Sequence, residues 1–226
     1  MEHKELFKAA FDGDLTTVQN AIEEGTDVNL IASNGMNLLI FAIWQNGNPH
    51  VVEYLLEKGA DPTYRQPSTL WNALVYAAVN GHAEVLQILL DRGQELDEEA
   101  GDWKALMYAV TYRNHRTAEM LLQAGANVNI RDPEQRTPLM RAAKNSDVEM
   151  VRMLLQFNPE LDAQDKDGST ALIYAAGKAK HENVGQLLSA GADPTLKNNA
   201  GETALDLAIA KNRKKMIALL EAHGEK

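Results

Sequence analysis

The chain contains no cysteine. That excludes disulfides, thiolate metal sites and a cysteine nucleophile. Proline is sparse, 7 in 226 residues, and disorder is not expected as the main state. Long apolar runs are missing too, since none approaches the ~20 residues a membrane-spanning helix needs. The opening ten residues are charged and have no apolar core, so they are not expected to be a secretory signal. Positive charge is in deficit: 22 Lys and Arg face 32 Asp and Glu, a net charge of −10. A dispersed acidic chain lacks the clustered basic face that phosphate contacts require, so nucleic acid is not an expected partner. What is present, 45% apolar and 24% charged residues, is the composition of a soluble folded protein. The cytoplasm is its expected compartment, with no membrane among its partners.

The charge is uneven. Residues 1–113 carry 7 basic and 17 acidic side chains, whereas residues 114–226 carry 15 of each. All of the excess acid lies in the first half, which bears on partners and association rates and not on fold.

Internal self-similarity dominates the pattern. A small-residue pair preceded at three positions by an apolar residue recurs as Leu6 with Ala9 and Ala10, Leu39 with Ala42 and Ile43, and Leu74 with Ala77 and Ala78. It continues as Leu106 with Ala109, Leu139 with Ala142, Leu172 with Ala175 and Leu205 with Ala208. The steps between copies are 33, 35, 32, 33, 33 and 33 residues. Seven copies fill the chain, approximately 1–31, 32–66, 67–98, 99–131, 132–164, 165–197 and 198–226, as one expected domain. Each copy reads as two short helices. The first starts at a capping residue, as in Thr137-Pro138-Leu139, where threonine accepts from the first turn and proline suits the first helical position. The second carries apolar residues at helical spacing, as in Val85, Leu86, Ile88 and Leu89. It is expected to stop at Gly25, Gly59, Gly93, Gly125, Gly191 and Gly224, with Asn158 in the same left-handed role in the fifth copy.

The segments Asp167-Gly168-Ser169-Thr170-Ala171-Leu172, Asn80-Gly81-His82 and Gly125-Ala126-Asn127-Val128-Asn129 resemble the ankyrin-repeat signature across essentially the whole chain. The resemblance implies an all-α solenoid of seven helix-turn-helix repeats with projecting β-hairpin-like fingers, stabilised by stacking between neighbours. It also implies that His82 bonds neighbouring backbone. Departures gather in copies two to four. The second has an extra residue near Trp44, the third has one in its finger, and Lys104 stands where a capping threonine is usual.

Catalytic constellations are not evident. Six histidines are scattered, and no HExxH, phosphate loop or GxSxG is present. The acidic run Glu95, Asp97, Glu98, Glu99 and Asp102 lacks the alternating ligands and central glycine of a calcium loop. The expectation is a protein that is not an enzyme and uses no cofactor or metal.

In proteins of the resembled family, partners sit on the finger tips and the concave face of the first helices. At the positions variable there, this chain places Trp71 and Trp103 before the cap, and Phe41, Tyr76, Tyr108 and Tyr174 before the small pair. Phe11, Trp44 and Tyr112 follow the pair. Large rings with polar tips are what binding hot spots use, although the same rings could instead pack between helices. With Glu98, Glu99 and Asp102 beside Trp103, an aromatic centre with an acidic rim predicts a basic protein partner for a chain that is monomeric on its own. In the fifth copy Arg136, Arg141 and Lys144 take the equivalent positions. They are suited either to an acidic patch on a partner or to pairing with a neighbouring finger. Alternatives within this reading are an immunity or inhibitor protein capping a basic toxin or enzyme, a host-directed bacterial effector, an assembly scaffold and an engineered binder.

Overall fold

The computed structural model describes residues 3–96, 103–178 and 180–224. Its helices fall into two compact units, Met1–Ala126 and Asn127–Lys226. The first unit holds α1 (His3–Asp12), α2 (Leu15–Glu23), α3 (Leu38–Ile43), α4 (Pro49–Glu57), α5 (Ala73–Asn80), α6 (Ala83–Asp91), α7 (Ala105–Thr111) and α8 (His115–Gln123). The second holds α9 (Pro138–Lys144), α10 (Val148–Leu155), α11 (Ala171–Ala176), α12 (His181–Ser189), α13 (Ala204–Ala210) and α14 (Lys214–Gly224). No strand forms among the described residues. The hairpin-like turns between repeats are instead closed by a few backbone bonds: an isolated antiparallel bridge pairs Ile31 with Asn37, Gln66 N–H reaches Trp71 O at 3.0 Å, and Asp165 N–H reaches Ser169 O at 3.2 Å.

Caps explain where the first helices begin. Asn37, Asn72, Thr137, Thr170 and Thr203 each accept the N–H three residues on, which satisfies one of the donors left over in a first turn. Lys104 begins α7 without a side-chain cap bond. Alanines then allow close approach, and the first helices stack in sequence, α1 on α3, α3 on α5 and α5 on α7 in the first unit, α9 on α11 and α11 on α13 in the second. Within each unit the second helices pack in the same succession, α2 on α4, α4 on α6 and α6 on α8 in the first, α10 on α12 and α12 on α14 in the second. Of the recurrent leucines, Leu6, Leu39, Leu74, Leu106, Leu139 and Leu172 are buried, each contributing about 1.5–3 kcal/mol, and Leu205 of the last copy is half-buried.

The second helices end as the repeat pattern predicts. Gly25, Gly59, Gly93, Gly125 and Gly191 have positive φ, and Asn158 takes the same conformation at φ 50°. Gly224 differs, being the last residue of α14. Neighbouring repeats are also tied through side chains. Asn29 Oδ1 accepts Asp61 N–H at 2.8 Å, Asn129 Oδ1 accepts Glu160 N–H at 2.8 Å, and Asp162 Oδ1 accepts Asp193 N–H at 2.9 Å. His82 meets the backbone carbonyls of Trp44 and Ile43 in the preceding repeat, and burial holds its pKa below the usual histidine value.

Candidate protein-interaction surface

In the first unit, the positions before the small pair and around the caps bring rings together in two groups. Phe7 of α1 lies 4.7 Å from Phe41 of α3, measured between ring centroids. Trp44, which caps the C-terminus of α3, stands perpendicular to Phe41 at 6.1 Å and edge-on to Phe11 at 5.8 Å. These four rings, with Ile31, Asn34, Lys4 and Lys8, line a cavity of about 660 Å³. Phe11, Phe41 and Trp44 are half-buried, so parts of their rings remain accessible.

The second group is centred on Trp71. Its ring lies 5.3 Å from Tyr76 and 4.9 Å from Tyr108, and Trp103 lies 5.1 Å from Tyr108. Trp71 Nε1–H donates to Tyr108 Oη at 2.8 Å, and Tyr76 Oη–H donates to Gln66 Oε1. Gln66 passes the connection on, its Nε2–H donating to Asn34 O at 3.2 Å. Burial follows from this arrangement. Tyr76 and Tyr108 are 3% and 8% exposed, so these two rings rigidify the stack, whereas Trp71 and Trp103 are half-buried and Tyr112, at 54%, is the most exposed aromatic ring. Of the acidic residues expected beside Trp103, Glu98, Glu99 and Asp102 lie outside the described residues.

In the second unit, the fifth repeat fills the equivalent positions with charge. Arg136 and Arg141 do not stand out from the surface as separate cations, because both turn onto Asp132 in their own finger. Arg136 Nε reaches Asp132 Oδ2 at 2.9 Å, and Arg141 reaches the same oxygen through Nε at 3.0 Å and Nη2 at 2.5 Å. The Asp132 side chain is fully buried. Burial alone would raise its pKa, but the Arg136 N–H and both guanidiniums outweigh that and hold it below the usual carboxylate range. One repeat later, Asp165 accepts Tyr174 Oη–H at 2.5 Å and Ser169 N–H at 2.9 Å. Burial and that bond to a carboxylate push the Tyr174 pKa up to about 12. Lys144 Nζ lies over the Tyr174 ring, 5.2 Å from its centroid.

Sequence reasoning missed the acceptors. Gln66, Asp132, Asp165 and Asn198 are separated by multiples of 33 residues, and in three repeats the acceptor holds a first-helix side chain nine or ten residues on. That spacing was the available signal. Among the described residues, no group of three or more His, Asp or Glu is placed to hold a metal ion. No described helix is long and apolar enough to cross a membrane.

A family model described as ankyrin repeats (3 copies) matches residues 6–100, 46–132, 106–198 and 139–226. Among curated relatives, the chain is 32% identical over 108 residues to the Caenorhabditis elegans ankyrin repeat and KH domain-containing protein mask-1. It is 31% identical over 153 residues to a Bos taurus mitochondrial disaggregase. These matches cover 48% and 65% of this chain but only 4% and 22% of the relatives. A Legionella pneumophila phosphocholine transferase, AnkX, is 23% identical over 66% of the chain and 16% of its own length. Among solved structures, the human ASB11 ankyrin repeat domain superposes with a TM-score of 0.84 at 28% identity, covering 96% of each chain. The ankyrin repeat domain of Bcl-3, a member of the IkappaB protein family, gives 0.84 at 29%, covering 96% of this chain and 97% of that one.

Proposed function

Because the chain belongs to the ankyrin-repeat family, whose repeats are generally protein–protein interaction modules, we propose that its first unit holds a basic segment of a partner protein in the groove of its first helices and finger turns. The observation that carries this is the pairing of accessible rings with excess acid. Residues 1–126 hold 18 acidic against 8 basic side chains, so the entire net charge of −10 belongs to the unit that holds Trp44, Trp71, Trp103 and Tyr112. A field of that sign draws a cationic segment in, and the faces of tryptophan and tyrosine hold Lys and Arg by cation–π attraction as well as by area. The residues assigned to contact are Phe41, Trp44, Trp71, Trp103 and Tyr112, with Glu98, Glu99 and Asp102 as the acidic rim; Tyr76 and Tyr108 support them from beneath. On this reading the protein works by binding, as a monomer, in the cytoplasm, and carries out no turnover.

Capture of a partner from a lysate of the source organism, followed by titration of the recovered protein, tests the proposal. Trp44→Ala and Trp103→Ala should each weaken binding roughly 30-fold, about 2 kcal/mol, with folding retained. Trp71→Ala is a poorer probe because it also removes the bond to Tyr108. Affinity should fall steeply as salt rises. A recovered partner whose contacting segment is acidic, or one held equally well by both variants, overturns the reading.

A further inference from the structure

The charged side chains of the second unit are arranged beyond what its own folding uses. Lys144 ends α9, Lys178 follows the C-cap of α11, and Lys211 caps α13, which gives one lysine at the same end of each successive first helix. Cations there are favoured by the helix dipole, and Lys211 shows that use, its Nζ donating to Gly177 O at 3.0 Å. Lys144 is different. It is half-buried, and its ammonium is held over the Tyr174 ring. The carboxylates around it are engaged elsewhere, since Asp132 takes both Arg136 and Arg141, Glu134 accepts from Arg136 at 3.1 Å, and Asp165 accepts from Tyr174. Burial is the main cause that lowers the Lys144 pKa; Arg136, Arg141 and Lys178 nearby add to it, and Asp165 opposes it.

We propose that Lys144 and Lys178, with Arg136 and Arg141 braced behind them on Asp132, form an anion-recognition surface that takes an extended acidic segment of a protein partner. Spacing favours a segment over a single anion. Packed helices lie about 8–10 Å apart, and an extended chain advances roughly 3.3 Å per residue. Lysines one repeat apart therefore match carboxylates about three residues apart. Net charge favours a short acidic segment over a nucleic acid, because residues 127–226 hold 14 acidic and 14 basic side chains and offer no field for a long polyanion. The fixed guanidiniums add to this: two rigid forks already anchored on a buried carboxylate lose little freedom when an incoming carboxylate arrives. This surface uses only second-unit residues and stands whether or not the aromatic face holds a basic segment.

The test is titration of the full chain, at low salt, with a peptide repeating Glu-Gly-Ser, followed by side-chain NMR of the lysines and arginines. Controls are the matched Gln-Gly-Ser peptide and inorganic phosphate. Saturable shifts of Lys144, Arg141 and Arg136 are expected with the glutamate peptide alone. Lys144→Gln should weaken binding roughly tenfold and Lys178→Gln by less, both with unchanged circular dichroism, while Trp103→Ala leaves it unaltered. Equal binding by Lys144→Gln and Lys178→Gln, equal binding of the glutamine peptide, or saturation by phosphate at the same concentration would each overturn the assignment.

Discussion

The two units solve one packing problem with opposite chemistry. Where the first helix faces its finger, the first unit places Phe41, Tyr76 and Tyr108, and the second places Arg141, Tyr174 and Leu207. Before the cap, Trp71 and Trp103 give way to Arg136, Ser169 and Glu202. Each side chain still needs something in the finger to rest on. In the first unit that support is neutral, Gln66 for Tyr76; in the second it is ionised, Asp132 for two guanidiniums and Asp165 for Tyr174. The backbone fixes a slot and its support, whereas the filling is open to choice. A surface can therefore change from ring-lined to charged without the stack changing its plan.

Breaking a support should cost most where it is ionised. Asp132→Ala leaves Arg136 and Arg141 without their buried acceptor and should lose about 3 kcal/mol by urea unfolding. Gln66→Ala, its counterpart, should lose about 1 kcal/mol. Near-equal losses would remove the distinction between the units.

The next difference is in pH. Both Tyr76 and Tyr174 titrate above the ordinary phenol value through burial, but only Tyr174 donates to a carboxylate, and only it is pushed up to about 12. A raised phenol pKa means the fold favours the neutral form. Its contribution is complete below about pH 10 and is lost as pH rises toward 12. Tyrosinate absorbance should show this late titration in the native protein, and Tyr174→Phe should abolish it.

A smaller effect lies in the Trp71 bond. Tyr108→Phe removes the acceptor of its indole N–H and should cost about 1 kcal/mol, without touching the Asp132 network. The smallest is in the turn that precedes each first helix. Leu70 and Gly168 hold the same turn position at φ 60° and 72°. Leu70→Gly should gain up to about 1 kcal/mol by relieving a left-handed leucine. Gly168→Leu should lose at least as much, since its Cβ would come within 2.6 Å of Asn199 Oδ1 and 2.9 Å of Asn199 N. Calorimetry on the pair reads both signs.

Much of the fold was legible in the sequence because it depends on local chemistry repeated in phase. Capping threonines, close-packing alanines and the left-handed Asn158 each act within one repeat, so the period of 33 exposed them together. Asparagine caps at Asn37 and Asn72 were harder to see, since asparagine is equally at home in the turn itself. The surface was legible by position but not by burial. Phe41 and Tyr76 occupy equivalent slots, yet one is half-buried and the other 3% exposed, because Trp71 covers Tyr76 from the adjoining finger. Arg136 and Arg141 left two readings open, an acidic patch on a partner or a neighbouring finger, for a similar reason. Their acceptor, Asp132, looks like any loop carboxylate until the fold turns it inward.

All three indoles belong to residues 1–126, each wedged against tyrosine or phenylalanine at ring-centroid distances near 5–6 Å. Intrinsic fluorescence excited in tryptophan is consequently a private spectroscopic channel. It follows melting or ligation in the leading four repeats and is blind to the trailing three, so disagreement between an emission trace and a far-ultraviolet trace would time the two halves separately without any added label.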